Sequence, residues 1–99
     1  MSANKSKEIS ILMTCIDRLA GMPVSNDENN IKVAKNITYN LKDLQKIDDN
    51  GNLITKVIIV FASISCDALK LSILGYMPYK DSFNLVEYCL ESALSYLID

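Results

Sequence analysis

Three acidic pairs are the first place where this chain could do chemistry: Asp27 with Glu28, Asp48 with Asp49, and Glu87 with Glu91. Two carboxylates divide the labour of acid and base when their surroundings push their pKa values apart. None of the three pairs has that setting in the sequence. Asp27 and Glu28 follow a capping serine, Asp48 and Asp49 sit in a turn, and Glu87 and Glu91 stand one helical turn apart on a solvated surface. Adjacent residues do not share a helix face, so the first two pairs cannot converge on one substrate atom by local geometry alone.

The other reactive types are equally sparse. The chain has no histidine. Activation of a serine or cysteine by an imidazole is therefore excluded, and general acid-base work near neutral pH lacks its usual residue. Cys15, Cys66 and Cys89 are widely spaced, form no CxxC pair and have no histidine to complete a zinc site. They read as small buried hydrophobes kept reduced. Lys56, Asp67 and Lys70 read as the rim of one helix, paired within it. No P-loop, GxGxxG, HExxH or GxSxG occurs. The stretch Asp48-Asp49-Asn50-Gly51-Asn52 has the look of a calcium loop, but setting Gly51 at the sixth position puts Lys46 first and Val57 twelfth, where carboxylates are needed. The sequence thus predicts a protein that is not an enzyme, with no cofactor and no metal.

Four helical segments must carry these residues. Ile9, Leu12, Met13, Ile16, Leu19 and Ala20 recur at the three- and four-residue spacing of one helix face. Gly21 and Pro23 end that segment. Ser25 to Glu28 has the form of a capping box opening a second helix, whose stripe is Val33, Ile37, Leu41, Leu44 and Ile47. After the turn at Gly51, Asn52 caps a third helix that runs from Leu53 to Leu74 and halts at Gly75. Tyr76 to Tyr79 then connects to a last helix capped by Asp81 or Ser82, with Val86, Cys89, Leu90, Ala93, Leu94 and Leu97 on its inner face.

The third helix dominates the reading because it is apolar around nearly its whole circumference. Its longest uncharged run, Val57 to Cys66, is far short of the roughly 20 residues that cross a bilayer. Such a helix has to be surrounded by protein. The expectation is a single all-α domain over residues 1–99, a compact four-helix bundle, up-down or irregular, built around this nearly all-apolar central helix. Three amphipathic neighbours cannot easily cover every side of it, so a bare face would be buried in a homodimer or against a partner.

At 99 residues the chain can build one core, and 49% of it is apolar. Ten basic and twelve acidic residues give net −2 with no basic stripe, which excludes a nucleic-acid backbone as the main partner. The segment after the first lysines, ISILMTCI, is too short and too broken by polar residues for a signal peptide. The expected location is cytoplasmic, without membrane contact.

What remains is binding to another protein. The expected contact residues are Asp48 and Asp49, Glu87 and Glu91, and the aromatic cluster Tyr76, Met77 and Tyr79, since tyrosine and methionine bring large adaptable contact area. Small size, absent catalytic groups and surface carboxylates point to an inhibitor of the immunity or antitoxin kind, which would neutralise a basic toxin or nuclease. A secretion or assembly chaperone and a viral Bcl-2-like or death-domain-like modulator are the alternatives.

Overall fold

The structure, a computed structural model, describes residues 3–20 and 27–98, with side chains from Lys5 and Glu28 onward in the first two helices. The helices are α1 (Ala3–Ala20), α2 (Asp27–Gln45), α3 (Leu53–Ile73) and α4 (Tyr79–Ser95), and the described residues contain no strand. Each helix packs on its neighbours in sequence, and α4 closes the ring against α1. This is the up-down four-helix bundle. The molecule measures 40 × 22 × 18 Å, as expected for helices laid side by side. The breaks at Gly21 and Pro23 and the capping box at Ser25 lie outside the described residues.

Two well-formed corners set the antiparallel order. Between α2 and α3, the Asn50 amide donates to Asp48 Oδ1 (3.0 Å) and the Gly51 amide to Asp49 Oδ1 (2.6 Å). Asn50 and Gly51 take positive φ values of 50° and 79°, and the Asn52 side chain then accepts the Thr55 amide at 3.2 Å as the cap of α3. At the far end, Gly75 adopts φ 88° while its amide donates to Ser72 O and that of Tyr76 to Leu71 O. These two bonds make a Schellman stop, which only glycine accommodates without strain.

The last helix begins earlier than its sequence suggests. Pro78, not Asp81 or Ser82, is the N-cap of α4, and the Ser82 amide makes the first helical bond to Pro78 O at 3.1 Å. Proline has already fixed its φ and has no amide to satisfy, so the chain turns into helix there at little entropic cost. Ser82 is buried instead.

The core confirms the stripes of α2 and α4 and rotates that of α1. Ala34, Ile37, Leu41 and Leu44 of α2 and Val86, Cys89, Leu90, Ala93 and Leu97 from α4 and beyond are buried. On α1 the buried line is Glu8, Leu12, Cys15 and Leu19, with Met13 and Ala20 turned outward.

The larger departure concerns α3. Its inward residues are Ile58, Ala62, Ser65, Ala68, Leu69 and Ser72, mostly small. Its large aliphatics face out: Leu53, Val60, Ile64, Leu71 and Leu74 are between 41% and 73% exposed. The helix occupies one corner of the ring, packed on α2 and α4, so it is not enclosed on all sides.

Leu69 is fully buried in the common core, whereas Lys42 stands on the exposed side of α2. Leu69→Ala should therefore lower stability by about 2–5 kcal/mol, through lost transfer energy plus the cavity left behind. Lys42→Ala should change it by less than about 0.5 kcal/mol. Denaturant titration of both variants checks this, and equal effects would place the core wrongly.

Candidate functional site

The residues expected from the sequence to meet a partner fall into three separate places. Asp48 and Asp49 lie in the α2–α3 turn, where one oxygen of each already serves the turn. Tyr76, Met77 and Tyr79 lie at the other end of α3, whose 21 residues span about 32 Å. Glu87, half-buried, and Glu91, exposed, lie along α4 between these two ends. No single planar contact joins the three groups.

The aromatic end has its own cleft of about 550 Å³, lined by Tyr76, Met77, Pro78 and Tyr79 together with Asn30 and Ile31 of α2. Tyr79 is half-buried and its ring packs on Phe83 at 5.7 Å between centroids, so it plugs the end of the bundle. Tyr76 is 80% exposed. Of the three, it alone is fully available for contact.

The acidic end gathers more than the turn. A cavity of about 420 Å³ is bounded by Lys5 and Glu8 of α1, Asp48, Asp49, Asn50 and Asn52 of the turn, Ile54 and Thr55 of α3, and Tyr96 and Leu97 beyond α4. Glu8 is only 2% exposed, and its Oε1 accepts no hydrogen bond among the described residues. Burial raises the Glu8 pKa above its ordinary 4.5, while a hydrogen bond from Thr55 pulls it back down. The apolar stripe read from the sequence of the first helix does not include Glu8. The signal lay in its register, since Glu8 precedes Leu12 by four residues and Cys15 by seven and so shares their face.

A second surface is apolar. On α3, Leu53, Val57, Val60, Ile64, Leu71 and Leu74 recur at three, four or seven residues and form one stripe interrupted by Asp67. The Phe61 and Tyr96 rings meet at 6.3 Å, and Cys89 lies beside Ser65, which fixes the antiparallel register of α3 against α4. That register sets Leu85 and Tyr88, 40% and 69% exposed, next to the Ile64 to Leu71 part of the stripe. The α3–α4 face thus carries large apolar side chains from two helices. Scattered exposed apolar residues are ordinary, whereas a stripe of this kind is apolar area that another surface can cover.

The thiols carry no sign of reactivity. Cys15 and Cys89 are buried, Cys66 is half-buried, and all three are free. Burial pushes Cys15 up to about 11, with Arg18 opposing and Cys66 adding slightly. Burial likewise raises Cys66 and Cys89, helped at Cys66 by the Asp67 carboxylate. Among the described residues, no group of His, Cys, Asp and Glu is placed to hold a metal ion, and no helix is long and apolar enough to cross a membrane.

Two outcomes follow from these environments. With a native pKa above the unfolded value of 4.5, Glu8 holds its proton longer in the folded state, so stability falls as pH rises through that window. Glu8→Gln removes this loss; its melting temperature should exceed that of the wild type near pH 7, with the pH-dependent gain vanishing below about pH 4.5. Melts across pH decide it, and parallel curves would show a solvated carboxyl. For the thiols, a maleimide probe at about pH 7.4 should react first at Cys66, and at Cys15 and Cys89 only after denaturant is added. Rapid native labelling of Cys15 would contradict its burial.

No family model, curated protein or solved structure matches this chain, so the functional reading rests on its own residues.

Proposed function

We propose that this chain is a non-enzymatic protein-binding module that covers a partner protein with its α3–α4 face. The observation that carries this reading is the outward placement of Val60, Ile64, Leu71 and Leu74 while α3 turns alanines and serines to its own core. Full burial of a large aliphatic side chain is worth about 1.5–3 kcal/mol, and since these four are already about half covered, a partner that buries the rest recovers about half of that for each.

The specific form we put first is a small cytoplasmic inhibitor of the immunity or antitoxin kind, which blocks a toxin by occupying its working surface. Its support is the small size, the lack of a histidine, and an acidic pole at Glu8, Asp48 and Asp49 beside Tyr96, which itself borders the apolar face. Apolar contact would then supply affinity, and the acids would steer a basic target by charge complementarity. The bare apolar stripe also supports a second reading, a chaperone that shields an apolar client segment. The Bcl-2-like or death-domain-like alternative gains nothing specific from the geometry. A second copy of the chain could cover the same stripe, since three- and four-residue spacing suits packing by another helix.

The double variant Val60→Glu with Ile64→Glu separates these forms. Both positions are exposed, so its melt should match the wild type within about 0.5 kcal/mol. Light scattering at micromolar concentration should show whether the wild type exceeds 11.0 kDa and whether the variant returns to that mass. Against a partner recovered from the native host, the variant should lose binding by at least about a hundredfold if both side chains sit at the centre of the interface. Asp48→Asn with Asp49→Asn should slow association and flatten its salt dependence for an inhibitor of a basic protein, and should be neutral for a chaperone. Unchanged binding and mass in the first variant would remove the α3–α4 face from the proposal.

A further inference from the structure

The cavity at the α1–α3 pole has the makings of a ligand site distinct from the apolar face. Its floor holds the Glu8 carboxylate, nine-tenths and more buried, with Oε1 closed to solvent and accepting no hydrogen bond among the described residues. A buried carboxylate oxygen left without a donor costs more than an ordinary hydrogen bond returns. Such groups are rare in folded proteins and ask for a partner.

The remaining walls state what kind of partner fits. Asp48 and Asp49 come from the turn, where each has committed one oxygen to a backbone amide, and among the described lining residues Lys5 is the one cation. Three carboxylates against one ammonium leave the cavity negative. Ile54, Leu97 and Tyr96 supply apolar wall, and the tyrosine ring offers a π-face. The carboxylates are not convergent enough to hold a metal ion. The volume, about 420 Å³, suits a small organic group.

We propose that this cavity binds a guanidinium or primary ammonium carried on an aliphatic stem, with the N–H donors on the Glu8 carboxylate and the stem along Ile54 and Leu97. An N–H cation is the one small group that supplies both the missing donor and the opposite charge. It arrives either as a free alkylamine or alkylguanidine, or as a lysine or arginine side chain of another protein. The inference shares the acidic pole with the proposed inhibitor but does not need the α3–α4 face, whose Val60, Ile64, Leu71 and Leu74 do not line the cavity.

Amide-resolved NMR titration tests it at fixed ionic strength, with n-butylguanidinium and with the peptide Gly-Gly-Arg-Gly-Gly as separate probes. Saturable shifts confined to Glu8, the Asp48–Asn52 turn, Thr55 and Tyr96 are expected for at least one probe, and which of them binds more tightly identifies the source. Glu8→Gln keeps the side-chain size and replaces the charge; it should weaken binding about ten- to a hundredfold while melting no lower than the wild type. Tetramethylammonium, charged but without N–H donors, should produce no saturable shift. Three results would overturn the proposal: no saturation by either probe up to tens of millimolar, equal affinity in the folded Glu8→Gln protein, or a response to tetramethylammonium matching that to butylguanidinium.

Discussion

The close approach of α3 to its two neighbours is the constraint on which the rest of this structure depends. Ala62, Ser65, Ala68 and Ser72 give α3 a shallow inner surface, with Ile58 and Leu69 as its larger knobs. Helices pack at a separation set by the side chains between them, and small ones allow the axes to come near. Most of the large side chains in the core come from the other helices: Leu12, Ile37, Leu41, Leu44, Val86 and Leu90. A helix with small residues inside and an apolar composition overall has to display its large aliphatics outside. The exposed stripe is thus the other half of the same packing solution.

The corners of the bundle then decide which chemistry meets at each pole. The α2–α3 turn needs Asp48 and Asp49 as acceptors for the amides of residues in or near left-handed backbone, and this places two carboxylates at the end where Glu8 enters the core. At the opposite end the Schellman stop at Gly75 throws Tyr76 outward while Tyr79 folds back on Phe83. One pole is acidic and the other aromatic because different turn chemistries were required there. Gln45 links the long sides, its amide donating to Ser63 Oγ at 2.8 Å between α2 and α3.

Buried polarity marks where the structure departs from a plain hydrophobic bundle. Apolar packing alone would favour leucine at the register of Glu8, and desolvation makes the carboxylate costly there. Buried Ser65, in the interface between α3 and α4, has the weak Cys89 thiol beside it, and its Oγ makes no hydrogen bond among the described residues. Rule-breaking of this kind concentrates where a protein does something besides fold. The acidic cavity and the apolar stripe meet at Tyr96, which lines the first and packs on Phe61 next to the second.

The sequence alone determined the number and kind of elements, because amphipathic spacing, the Asn52 cap and Gly75 act through local geometry and nearest-neighbour physics. It also determined that α2 and α4 bury the stripes Ile37 to Leu44 and Val86 to Ala93, since those faces have a clear polar opposite. For α3 it could not say which side was in, because an all-round apolar helix has no hydrophobic contrast to read, and close packing by its neighbours selected the small side. Glu8 escaped for a related reason. A charged residue is assigned to water by type, whereas its burial followed from the rotation of α1 that brings Leu12, Cys15 and Leu19 inward together. Residue type and spacing settle what a helix is. Only the tertiary structure decides which face it gives to the core and which to water, because that choice depends on the volumes its neighbours offer.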